Sequence, residues 1–131
     1  MNWKTYLLAA VSGYIVLLIV GGLWHFFILR DYYWNILKLN VSAVVVGDIL
    51  RALMLAYIYP FGMKGKSWRV AGTKFGAWMG IAAGLPAGMY AMNLGQTDLF
   101  AWMTVLFLLV QGIANGWMVA LVYHEAAAKT A

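Results

Sequence analysis

Asp48 and Arg51 stand three positions apart in the run 41–61, which is otherwise apolar. On a helix that spacing puts carboxylate and guanidinium on one face, within reach of each other. Charges among apolar neighbours are costly, so the two residues form either an internal ion pair or part of a polar site. His25 lies about four residues inside the far end of another apolar run, 6–29, at a depth that can match Asp48. Two readings follow for the group His25, Asp48 and Arg51. In the first, the histidine is a hydrogen-bond partner that fixes the packing of two helices. In the second, the three line a small polar site that binds an anion or relays a proton.

Gln111 and Asn115 form a second polar pair, one helical turn apart in the run 100–123. Side-chain amides that hydrogen-bond between membrane helices contribute about 0.6 kcal/mol on average. Their expected role is therefore structural, beside the small-xxx-small pair Gly112 and Gly116.

Other chemistry finds few residues to carry it. There is no Gly-x-x-x-x-Gly-Lys phosphate loop and no His-Glu-x-x-His metal motif. With no cysteine in the chain, disulfides, iron–sulfur clusters and thiol catalysis are excluded. His124-Glu125 is too small a cluster for a metal, and two histidines in all do not furnish a bis-histidine haem. An enzyme acting on lipid would need an acid, a base and a nucleophile that the sequence does not assemble. The expectation is a non-enzymatic protein without metal or cofactor.

These residues have to be positioned by helices. Hydrophobic residues make up 65% of the 131 positions and charged residues 10%, too little polar material to cover a water-soluble globule. The chain is expected to be a single integral membrane domain, 1–131, an all-α bundle with spans at about 6–29, 41–61, 70–94 and 100–123. The first run holds no residue charged at neutral pH and measures roughly 36 Å as a helix, enough to cross a hydrocarbon core of about 30 Å. It is too long for a signal peptide, and no small-x-small cleavage site follows before Arg30, so it is expected to be retained. Arg30, Asp31, Tyr32, Tyr33, Trp34 and Lys38 mix charge and aromatic rings, as at the headgroup level, and the segment 30–40 is expected to lie along the interface. Residues 124–131 are expected to form a small, mobile tail.

The third span is distinguished by glycine at every fourth position: Gly72, Gly76, Gly80, Gly84 and Gly88. In water each would cost about 1 kcal/mol relative to alanine. Between membrane helices the same row becomes a flat strip that admits a neighbouring backbone. Pro86, inside this span, is expected to kink it or loosen a turn. In the turn that follows, Thr97 or Asp98 can cap the fourth helix.

Four spans place Lys4, Lys64, Lys66, Arg69, Lys74 and Lys129 on one side and Arg30 and Lys38 on the other. That bias predicts both termini in the cytoplasm and argues against dual topology. It also accounts for the net charge of +5 without nucleic acid.

Several short stretches resemble a known group. They are Gly21-Gly22-Leu23-Trp24-His25, Tyr57-Ile58-Tyr59-Pro60, Lys74-Phe75-Gly76 leading into the glycine row, and Gly116-Trp117-Met118-Val119-Ala120. Together they resemble a broad group of small uncharacterised bacterial four-span inner-membrane proteins. The resemblance implies four spans and a bacterial cytoplasmic membrane; it implies no activity and assigns no functional residue. Two functions are then expected to compete. The first is a helix-packing, accessory or assembly subunit, or a homo-oligomer, with membrane lipids and other membrane subunits or itself as partners. The alternative is a small solute, ion or proton transporter or channel using His25, Asp48 and Arg51.

Overall fold

The structure is a computed structural model that describes residues 2–28, 30, 40–62 and 67–129. The interfacial segment expected over 30–40 falls almost wholly outside the described residues, as do Lys64 and Lys66. Of the described residues, 93% are helical and none is in a strand. Four long helices account for them. Helix α1 is Trp3–Leu23 and runs on into a π-helical turn, Trp24–Ile28; α2 is Val41–Gly62; α3 is Trp68–Asn93; and α4 is Asp98–Ala128.

Local chemistry sets the ends. The Asn2 side chain accepts from the backbone N–H of Lys4 at 3.0 Å, Asn40 from Ala43 at 3.1 Å, and Thr97 from Phe100 at 3.3 Å. Each satisfies one of the donors that a first helical turn leaves without an intrahelical partner. Thr97 thus takes the capping role that the sequence left open between it and Asp98. Gly95 closes α3 at φ +74°, with Gln96 N–H donating to the Ala91 carbonyl at 3.1 Å and Gly95 N–H to Met92 at 2.9 Å. That is a Schellman closure, and it requires the left-handed residue that glycine supplies. The helices run through Pro60 and Pro86 without interruption. The expected mobile tail is corrected in part: α4 continues through His124 and Glu125 to Ala128, because Glu125 and the three alanines after it are good helix formers.

Helix α4 lies at the centre, with α3 along one side and α1 along the other. Helix α2 packs chiefly on α1 and less on α4. At the end that holds Trp3 and Ala128 all four helices meet. There Ala9, Ala10, Leu55, Ala56, Tyr59, Ala71, Phe75, Val119 and Ala120 form one buried cluster. The Tyr59 ring meets Phe75 edge-on at 5.3 Å and stacks on Tyr123 at 5.6 Å, and the Tyr123 hydroxyl donates to the Ala56 carbonyl at 2.8 Å.

The size pattern is inverted relative to a water-soluble bundle. Alanines and glycines fill much of the interior, whereas Phe27, Leu99, Trp78 and Phe61 are 69–79% exposed. Helix contacts built from small residues are the solution expected where the surroundings are as apolar as the side chains. Three stretches are long and apolar enough to cross a membrane: Trp3–Ile28, Val41–Gly62 and Asp98–Ala128. Helix α3 is long enough, but its glycines and the charges of Arg69 and Lys74 leave it less apolar than the others.

Candidate functional site

The polar residues of the bundle gather where α1, α2 and α4 converge. Arg51 projects from α2 onto α4, where its guanidinium donates to Gln111 Oε1 and, at 3.5 Å, to the Leu108 carbonyl. Gln111 is 2% exposed, and its Nε2 donates at 3.2 Å to the Leu17 carbonyl of α1. One side-chain amide therefore ties three helices together. Gly21 lies beside this amide, where a Cβ would stand in ordinary contact, 3.4 Å from Gln111 Nε2.

This geometry corrects the expected Asp48–Arg51 ion pair. Among the described residues no nitrogen of Arg51 comes within 4.0 Å of a carboxylate oxygen. A buried amide oxygen without a donor is costly, so the long arginine side chain reaches across to Gln111 instead of turning back on its own helix. Asp48 faces a different space. Its Oδ2 lies over Gly21, 4.0 Å from where a Cβ would stand.

That space is a cleft of about 100 Å³ between α1 and the first turns of α2. Gly21 and Gly22 line it from α1 and Val44 and Val45 from α2, and its two ionisable side chains are His25 and Asp48. The structure thus brings His25 and Asp48 to one cavity; Arg51 does not line it, although its charge still acts on Asp48. His25 is carried by the π-helical turn, a feature frequent at functional sites. Beside it Trp24 stacks on Phe107 of α4 at 4.9 Å, and the His25 ring meets Phe107 edge-on at 5.5 Å. No residue type announces a π turn, so nothing in the sequence points to one.

Asn115 behaves unlike Gln111. It is 0% exposed, yet among the described residues neither Oδ1 nor Nδ2 has a hydrogen-bond partner. It is pressed against α1 at Gly13, where a Cβ would stand 2.7 Å from Oδ1. The expectation of an interhelical amide bond therefore holds for Gln111 and fails for Asn115.

The glycines of α3 all face α4 and are buried. A Cβ on Gly72 would stand 2.8 Å from the Gly116 carbonyl oxygen, and one on Gly80 2.7 Å from both Leu108 O and Leu109 Cα. On Gly84 it would meet Val105 O at 3.1 Å, and on Gly88 the Val105 side chain at 2.7 Å. Gly76 lies against Gly112 in the same way, and a Cβ on Gly112 or Gly116 would in turn stand 2.8 Å from Gly80 or Gly76 Cα. The two helices run antiparallel with backbones in contact. The Trp117 indole N–H donates to the Thr73 hydroxyl at 2.6 Å along the same seam.

No group of three metal-ligating side chains occurs among the described residues. Comparison with known proteins finds no matching family model, no matching curated protein and no matching solved structure.

Proposed function

We propose that the chain is a four-span protein of the bacterial cytoplasmic membrane, with both termini in the cytoplasm. It works through helix packing, as an accessory or assembly subunit or as a homo-oligomer, and not as an enzyme. The observation that carries this reading is the use of its interior polar groups. Arg51 and Gln111 are bound into a cross-link between α1, α2 and α4, and the glycines of α3 are bedded on the α4 backbone. As a fourth span, α3 measures roughly 39 Å over its 26 residues. Its outward residues Trp78, Leu85, Met89 and Tyr90 are 45–70% exposed and suited to lipid. Trp68 and Arg69 at its start suit the headgroup level.

Two experiments test this. Reporter fusions at either terminus should both behave as cytoplasmic, and a periplasmic signal from one would overturn the topology. Protein extracted into native-lipid particles should run larger than one 14.5 kDa chain or bring another subunit with it. A free monomer with no co-purifying protein would count against the assembly role.

The alternative, a small solute, ion or proton transporter, draws on one observation: His25 and Asp48 line the same cleft. Liposome flux that stays unchanged in Asp48→Asn and His25→Ala variants would remove that site from the mechanism.

A further inference from the structure

We infer that the cleft between α1 and the start of α2 is a binding site for a primary amine carried on a short apolar stem. The Asp48 carboxylate receives the ammonium, and Gly21 and Gly22 lie beneath the stem.

Charge decides the sign of the ligand. Arg51 donates to Gln111 and Leu108 on α4, so the charged group presented to the cleft is a carboxylate. An anion would meet the Asp48 carboxylate at the lining, and the Arg51 guanidinium, although its charge still acts on Asp48, gives its hydrogen bonds to α4. A carboxylate among valines and leucines gains from a cation that brings its own hydrogen-bond donors.

The lining decides which cation. Calcium takes six to eight oxygen ligands and magnesium a near-ideal octahedron of them. Beyond Asp48, the lining side chains offer His25 and otherwise hydrocarbon: Leu17, Leu18, Val41, Val44, Val45 and Phe26. A metal ion would lose its water without replacement. An alkylammonium loses less than a divalent metal ion: it carries a single charge, its stem is apolar, and one or two of its three N–H donors can bond the carboxylate.

Size and shape set the rest. About 100 Å³ is roughly three waters' share of liquid volume, room for an ammonium and its first few carbons. Glycine in place of any larger residue opens the floor: a Cβ on Gly22 would meet nothing nearer than Phe26 at 3.9 Å. The amine can come from a lipid headgroup or from a free small molecule. The inference rests on the membrane placement proposed above and not on assembly, so an assembly test can fail while this one succeeds.

The test uses the full chain in phosphatidylcholine particles and follows binding by calorimetry. Hexylammonium chloride is titrated against hexanol, hexyltrimethylammonium and potassium chloride. The expected result is a saturable response to hexylammonium, about tenfold or more tighter than to the other three, since a charge-assisted hydrogen bond is at stake. Asp48→Asn should abolish the preference. Gly22→Leu, which keeps the carboxylate and fills the cleft, should abolish the response at an unchanged melting temperature. Repeating the titration with phosphatidylethanolamine separates the sources: weaker apparent hexylammonium binding identifies the headgroup as occupant, and unchanged binding a soluble amine. A response equal for hexanol, or one that survives in both variants, would overturn the proposal. So would the absence of any response, which would leave Asp48 to a proton alone.

Discussion

The α3–α4 seam and the α1–α2 seam both contain glycine, and they use it in opposite ways. Along α3–α4, every glycine from Gly72 to Gly88 faces α4, and all five would put a Cβ within 3.1 Å of its backbone, where Gly112 and Gly116 answer from the other side. Along α1–α2, a Cβ on Gly22 would meet only Phe26 at 3.9 Å, and one on Gly21 would meet no atom of α2 nearer than Asp48 Oδ2 at 4.0 Å. A glycine closes a helix contact where a facing backbone comes down onto it, against another glycine at Gly72 and against Val105 at Gly84. Where none does, the missing side chain leaves a cleft. The closed seam holds α3 to the bundle, and the open one exposes Asp48 and His25.

The sharpest way to break this contrast is to overfill the closed seam. Gly80→Leu must displace the Leu108–Leu109 backbone, and overpacking typically costs about 1–3 kcal/mol and occasionally more. Thermal unfolding in detergent should show a large loss or no folded protein. An unchanged melting temperature would mean that α3 does not sit on α4.

Next in size is the tie that holds α2 on its looser side. Arg51→Leu leaves Gln111 Oε1 without its donor, which costs about 1–3 kcal/mol. In a double-mutant cycle Arg51 should couple to Gln111 by about 0.5–3 kcal/mol and more weakly to Asp48. Stronger coupling to Asp48 would restore the ion pair that the spacing first suggests. Asn115→Leu should run the other way. It removes an amide whose two polar atoms lack partners among the described residues and puts two methyl groups in their place, so stability should be unchanged or higher by on the order of 1 kcal/mol. A clear loss would mean that Asn115 is held by a partner such as a buried water. The smallest effect belongs to Trp117→Phe, which gives up the bond to Thr73 and should cost about 0.6 kcal/mol.

The helices were legible in the sequence because apolar length is a one-dimensional property. The runs 41–61 and 70–94 recur as Val41–Gly62 and Trp68–Asn93. The facing of Gly76 and Gly112 was half legible: each row announces a small face, but pairing them requires knowing which helices adjoin. Arg51 was misread for a related reason. Spacing along one helix points to Asp48, whereas the acceptor that won, Gln111, stands sixty residues away and reveals itself only when α2 and α4 meet. Asn115 and Gln111 look equivalent in sequence, one turn apart on one helix. What separates them is which neighbour stands opposite, a carbonyl of Leu17 or the bare Cα of Gly13.

The most direct measurement is a pair of alanine substitutions compared in one detergent. A Cβ at position 80 must push into the α4 backbone, whereas one at position 22 enters open space. Gly80→Ala should therefore lower stability by on the order of 1–3 kcal/mol, and Gly22→Ala should stay within about 0.5 kcal/mol of the parent. Equal effects at the two positions, or a larger loss at 22, would contradict the contrast between a closed α3–α4 seam and an open α1–α2 cleft.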